Sequence, residues 1–204
     1  MNDLTTYQSV RAGMRGGDIL FFDGSDASDL VHIIGDFTSN AIKLLTRGPT
    51  HSAMVYSDSS LLIESTILNG KSGPQWNPLE ERIARYQGRV WWCPLSDRVR
   101  AMLDFAAMWN MAQAKVGHDH YNVGELLAYV GRRVPVLSYL PQLYKPDSDS
   151  EVCSELLAEL LAAGGLPGLQ PVQTPPQRLA EMRLYAGCTQ LAGPPAAIRN
   201  FNTV

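Results

Sequence analysis

The chain has 204 residues, of which 45% are hydrophobic and 18% are charged, and its formal net charge is −3. This length and composition predict a globular protein with a full core, built as one domain or as one domain that carries an insertion. The slightly acidic charge and the lack of any block of lysine and arginine exclude nucleic acid as the main partner.

The sequence also lacks the marks of export and of membrane insertion. The first residues have no basic start followed by an apolar core, so no signal peptide is expected. The longest apolar stretch, residues 126–143, is interrupted by two arginines and two prolines, so no integral membrane segment is expected. The three cysteines form no CxxC motif and no even-numbered disulfide framework. These features predict a cytoplasmic protein, or a virion-associated or host-delivered one if the chain is viral.

The first half of the chain predicts a small antiparallel sheet. Residues 1–15 are polar and are expected to form an N-terminal arm or a short helix, followed by a turn at 16–18. Apolar residues recur at helical spacing within 30–45, and a turn is expected at 57–60. Three short segments of β-forming residues are bounded by these turns and helices: residues 19–22, 50–56 and 61–66.

The second half of the chain is predicted to be mainly helical. Residues 69–78 are expected to be a loop rich in glycine and proline, and 89–94 a further strand. Residues 184–204 are expected to be an irregular C-terminal tail with room for one short strand. Helices are expected at 79–86, 98–116 and 123–130, over a segment that starts after Ser148 or Ser150 and ends before Gly164, and just after Pro175. This order of elements indicates an α+β fold.

Cys153 lies where one of these amphipathic helices begins. Ser148 and Glu151 fit a capping box, and Ser150 before the run of leucines offers a second possible start. Either start places the cysteine in the first turn of the helix. The unpaired N–H groups and the dipole of a helix start favour an anion, so a thiol there is expected to have a lowered pKa and a reactive sulfur. The alternative is a small buried residue at a helix start, since free cysteine is often buried.

His51 and Glu64 are the two polar residues inside the predicted hairpin that could assist a thiol. If Ser57 lies opposite Ser60, Glu64 lies opposite Ala53 and on the same face as His51, as its diagonal neighbour. A slip of one residue would place them on opposite faces. Taken singly, the histidine could be a hydrogen-bonded residue at a strand start and the glutamate a solvent-facing one. Together with a cysteine they supply the nucleophile, base and orienting group of papain-type chemistry.

Several short motifs occur in an order that resembles the circularly permuted NlpC/P60 hydrolases of the YiiX/YaeF type. The motifs are Gly17-Asp18, Thr50-His51-Ser52, Glu64-Ser65-Thr66, Gly117 with Tyr121-Asn122, Val152-Cys153-Ser154-Glu155, and Thr174-Pro175-Pro176 with Leu179. The resemblance implies a permuted papain-like fold, in which a small antiparallel sheet or barrel packs against helices. It also implies a catalytic domain over 16–183, with an insertion at about 124–147.

The same resemblance implies a role for each of the three candidate residues. Cys153 would be the nucleophile, His51 the general base and Glu64 the residue that orients it, on a cell-wall peptide amide or an acylated substrate. Acyl transfer to a lipid or an amine would use the same residues, and a non-catalytic structural or assembly protein could keep the fold. No cofactor is expected, and residues 118–120 are expected to form a polar loop rather than a metal site.

Overall fold

The computed structural model describes residues 2–25, 48–56, 60–68, 70–118, 120–121, 150–151, 153–170 and 174–204. In these ranges the protein has an α+β fold, in which an antiparallel sheet packs against helices. The expected helices at 30–45 and 123–130, the turn at 57–59, the insertion at 124–147 and Ser148 lie outside the described residues. No helix within the described ranges has both the length and the apolar character needed to cross a membrane.

Six of the described strands form one sheet, and two more form a short parallel pair. The six are β1 (Ile19–Ser25), β2 (His51–Val55), β3 (Leu61–Leu68), β4 (Lys71–Pro78), β5 (Gln87–Cys93) and β8 (Thr189–Ala192). Their order in the sheet is β4-β3-β2-β1-β5-β8, and each neighbouring pair is antiparallel. The parallel pair consists of β6 (His120–Tyr121) and β7 (Ser150–Glu151).

The described helices surround this sheet and are mostly short. They are α1 (Thr5–Val10), α2 (Leu79–Arg85), α3 (Asp97–Arg100), α4 (Phe105–Lys115), α5 (Cys153–Ala163) and α6 (Pro176–Ala180). Helix α5 is the most deeply buried, because eight of its side chains, from Cys153 to Leu161, are buried.

The two faces of the sheet are covered by two different apolar clusters. Successive side chains of a strand point to opposite faces, so Phe21 lies in one cluster and Phe22 in the other. The cluster that contains Phe21 includes the leucines of α5, and the cluster that contains Phe22 includes Tyr7 of α1 and Ile83 of α2. Burial on both faces explains why β1 begins with an uninterrupted apolar run.

Two predicted elements are wrong. Residues 69–78 were expected to be a loop, but residues 71–78 form β4, which pairs with β3 along its full length. Pro74 is compatible with a strand here because β4 lies at the edge of the sheet, where one side needs no ladder hydrogen bonds. The single helix expected at 98–116 is two helices, because the side chain of Asp104 accepts a hydrogen bond from the Ala107 N–H and starts α4 anew.

Most of the remaining described elements agree with the sequence. The strands near 19, 50, 61 and 89, the helix over 79–85 and the helix with Pro176 in its first turn are confirmed. The helix that carries Cys153 is also present, but it begins at Cys153 and not after Ser148 or Ser150, because Ser150 and Glu151 form β7. The polar loop expected at 118–120 is wrong at His120, which lies in β6. The C-terminal segment contributes more than the expected tail. Its β8 adds an edge strand beside β5, and the buried Tyr185 packs against Phe21 and Phe201.

Candidate active site

The register of β2 and β3 places His51 and Glu64 on one face of the sheet. Met54 pairs with Ile63 and Val55 with Leu62, which is the odd-sum pairing expected from the sequence. Continued by one residue, this register puts Glu64 opposite Ala53, and so on the face that His51 occupies, the face of Phe22 and α2. The predicted register is therefore confirmed.

The two side chains are in direct contact. The Nε2 atom of His51 lies 2.5 Å from Oε2 of Glu64, and the glutamate is fully buried while 13% of the histidine side chain is exposed. Because Nε2 is engaged by the carboxylate, Nδ1 is the ring nitrogen left for a further partner. This contact fixes the orientation of the ring.

That further partner is Cys153, at the first residue of α5. A hydrogen bond joins its sulfur to His51, and the backbone N–H groups of Ser52 and Ser154 also donate to the sulfur. In an antiparallel strand the N–H groups alternate in direction, so the Ser52 N–H points away from β1 and towards β3. The pairing of β2 with β3 extends along β2 as far as Met54. Beyond that residue, the Ser52 N–H donates to the sulfur of Cys153.

The charges of this pair reinforce each other. Burial alone raises the pKa of the Cys153 thiol, but the adjacent His51 imidazolium and the two N–H donors outweigh it, so the pKa is lowered from its usual value. Burial alone lowers the pKa of His51, whereas the Cys153 thiolate and the Glu64 carboxylate raise it, to about 10. At neutral pH these shifts favour a thiolate beside an imidazolium, which is a nucleophile beside a proton donor.

Glu64 is held in place by two residues besides His51. Asn77 Nδ2 donates to its Oε1 at 2.9 Å, and Arg82 donates from Nε to Oε1 at 2.8 Å and from Nη2 to Oε2 at 3.2 Å. Burial raises the pKa of the Glu64 carboxyl, but Arg82 and the His51 ring outweigh it and lower the pKa to about 2. The carboxylate therefore stays ionised throughout the physiological range.

Asn77 and Arg82 were not identified from the sequence. Asn77 lies on β4, a strand that the sequence pattern does not predict, so its position beside Glu64 could not be derived. Arg82 did carry a signal, because Leu79, Arg82, Ile83 and Tyr86 are spaced as the buried stripe of a helix. A charged residue at a core position of such a stripe requires a buried partner of opposite charge.

The other residues considered in the sequence are not part of this site. Asp18 was taken as a turn residue, and the structure gives it a larger role as a buried carboxylate bound by Trp92 and Arg100. Trp91 and Trp92 are buried in the core, and Trp109 is partly buried against it. Within the described ranges, no group of three or more His, Cys, Asp and Glu side chains is arranged to hold a metal ion.

Comparison of the chain with known protein families and with curated proteins gives no match. Any assignment of function therefore depends on the geometry of Cys153, His51 and Glu64. A buried thiolate at a helix start, a histidine in contact with it and a carboxylate on the far side of the ring can form and hydrolyse an acyl intermediate.

Proposed function

We propose that the protein is a cysteine hydrolase that acts on an amide or an acylated substrate through an acyl-enzyme on Cys153. The observation that carries the proposal is the hydrogen-bonded series in which the Cys153 sulfur contacts His51 and His51 Nε2 contacts Glu64. An α+β fold with the cysteine at the start of a buried helix is compatible with the permuted papain-like fold of the NlpC/P60 hydrolases, which we propose as its family.

The proposed reaction has two stages. The Cys153 thiolate attacks the carbonyl carbon, and the resulting oxyanion accepts a hydrogen bond from the Cys153 N–H in the first turn of α5. The His51 imidazolium then gives its proton to the departing amine or alcohol, which leaves a thioester on the sulfur. Neutral His51 next takes a proton from water, which attacks the thioester and releases the acid and the thiolate. Glu64 keeps the ring oriented and stabilises its charged form.

The substrate we favour is a peptide amide of the cell-wall stem-peptide type. An acylated small molecule is the alternative, and acyl transfer to an amine or a lipid would begin with the same thioester. A purely structural or assembly role is the competing proposal. It would not require the sulfur, the imidazole and the carboxylate to be in contact, so the observed contacts weigh against it.

The test is a screen of peptide amides, esters and thioesters with the wild-type protein beside Cys153→Ser and His51→Ala. We expect turnover by the wild-type protein but not by these two variants, with a thioester adduct on the wild-type Cys153 peptide that hydroxylamine removes. Cys188→Ser is the matched control, because this cysteine is exposed and is not in contact with the site. Product analysis with and without an added amine separates hydrolysis from acyl transfer.

Iodoacetamide labelling gives a reading that needs no substrate. We expect Cys153, although buried, to be alkylated faster at neutral pH than the exposed Cys188, and His51→Ala to abolish this difference. If Cys153 reacts no faster than Cys188 and no compound in the screen is turned over, the hydrolase proposal fails.

A further inference from the structure

Four side chains form a row of alternating charge from the interior of the protein to the reactive sulfur. Arg82 is paired with Glu64, Glu64 with His51, and His51 with Cys153. Arg82 begins the row, and its side chain is only 3% exposed. Its guanidinium carbon lies 5.1 Å from the ring centre of Phe22, so aromatic contact as well as the carboxylate fixes the position of the cation.

The carboxylate of Glu64 receives one donor for each of its four lone-pair positions. Oε1 accepts from Asn77 Nδ2 and Arg82 Nε, while Oε2 accepts from Arg82 Nη2 and lies against His51 Nε2. The planar fork of arginine binds both oxygens at once, which prevents rotation of the carboxylate. The Oε2 atom is therefore aimed at the histidine before any substrate binds.

Stability alone gives a weak reason for such an arrangement. Burying a guanidinium and a carboxylate costs desolvation free energy that their attraction recovers only in part, so buried ion pairs are often no more stable than apolar replacements. A buried carboxyl with no cation beside it would take up a proton. A protonated Glu64 could still accept from His51 Nε2 through its carbonyl oxygen, but it would lack the negative charge that stabilises the imidazolium.

We propose that Arg82 is a positioning residue for the reactive thiol, acting through Glu64. It keeps Glu64 as a carboxylate with Oε2 on His51, and so maintains the thiolate form of Cys153. The inference extends the proposed function, because it names what sets the protonation state of the catalytic pair. It can be measured without a substrate.

The experiment is the rate of iodoacetamide alkylation of Cys153 as a function of pH, read from the Cys153 peptide by mass spectrometry. We compare the wild-type protein with Arg82→Gln, Arg82→Lys and Arg85→Met. Arg85 is the matched control, because it lies on the same helix and its ion pair with Glu81 is exposed. We expect Arg82→Gln to move the acid limb of the profile upward by about one pH unit or more. Arg82→Lys should move it less, and Arg85→Met should leave it in place.

A double-mutant cycle separates positioning from general support of the fold. If Arg82 acts through Glu64, Arg82→Gln should add no further shift to the profile of Glu64→Gln. The double variant also leaves no unpaired buried charge at this position, which favours folding. An equal shift in the Glu64→Gln background would overturn the proposal, as would an unchanged profile in folded Arg82→Gln.

Two further outcomes complete the test. If Arg82→Gln does not fold, Arg82→Lys decides, because it keeps the positive charge but lacks the fork. An unchanged profile in Arg82→Lys would then overturn the proposal. Shifted profiles in a protein that turns over no substrate would support the role of Arg82 and count against the hydrolase. Turnover of a substrate together with unshifted profiles would support the hydrolase and count against the role of Arg82.

Discussion

Replacing Asp18 by asparagine tests the part of the fold that places the site. Asp18 is fully buried just before β1, and four groups converge on its carboxylate. Oδ2 accepts from the Arg15 N–H and from Trp92 Nε1, both at 2.9 Å. Oδ1 accepts from the Leu95 N–H at 3.1 Å and pairs with Arg100. The carboxylate thus ties the start of β1 to the end of β5.

The size of the effect follows from these contacts. Asparagine has one acceptor oxygen, so its NH₂ group would face two of the donors, and the Arg100 guanidinium would lose its buried counter-charge. Removing one partner of a buried ion pair costs about 3–5 kcal/mol. In a chain of this size that corresponds to a fall in Tm on the order of 10 °C. The matched control is Asp23→Asn, because the Asp23–Arg89 pair on the same two strands is partly exposed and should be worth at most about 1 kcal/mol.

Urea unfolding at pH 7, followed by circular dichroism, measures both variants against the wild-type protein. Since the Asp18 carbonyl also accepts from the Val55 N–H of β2, we expect Asp18→Asn to disturb the strand that carries His51. Its iodoacetamide labelling of Cys153 should therefore slow as well. If Asp18→Asn and Asp23→Asn lower the free energy of unfolding equally, the assigned role of Asp18 is wrong.

Three further changes have outcomes that the structure defines. The sulfurs of Cys93 and Cys188 lie 3.0 Å apart, so glutathione disulfide should oxidise them to an intramolecular disulfide. Peptide mass spectrometry should show a Cys93–Cys188 link, two hydrogens lighter than the two free thiols, and no such link in Cys188→Ser. The depressed pKa of Glu64, about 2, stabilises the fold above its usual pKa of 4.5, so acid should remove about 3 kcal/mol as pH falls from 4.5 to 2. Glu64→Gln should lack this part of the acid-induced loss in urea titrations. Gly24→Ala would put a Cβ 2.3 Å from the Gln87 carbonyl oxygen, which should lower the Tm by several degrees in thermal melts.

The core of the site could be predicted from the sequence because the relevant signals are local. Helix α5 follows from its run of leucines, although it starts at Cys153 and not after Ser148 or Ser150. The hairpin register follows from a turn between two apolar segments. That register determines the face on which Glu64 lies relative to His51, and it is confirmed. The contact of Cys153 with His51 could be expected only from chemistry, since 102 positions separate the two residues and no periodicity links them.

The support around Glu64 could not be predicted in the same way. Strand β4 has Gly73-Pro74 in its middle, and proline argues against a strand unless the strand is known to lie at a sheet edge. Edge position is a property of the whole sheet, and no local pattern reveals it. If β4 is not predicted, the position of Asn77 next to Glu64 cannot be predicted either. The same holds for the orientation of the following helix, α2, which carries Arg82.

The row from Arg82 to Cys153 also explains how four ionised groups can be buried together. The charges alternate in sign and sum to zero, so each group has an opposite charge as its nearest neighbour. The proton that leaves the Cys153 thiol stays on His51, so forming the ion pair changes neither the net charge nor the number of bound protons. Stability should therefore vary little with pH near neutrality, where the proposed function requires the thiolate. Replacing Glu64 by a neutral residue leaves its neighbours Arg82 and His51 without their counter-charge. Both the reactivity of Cys153 and the stability of the fold should therefore fall.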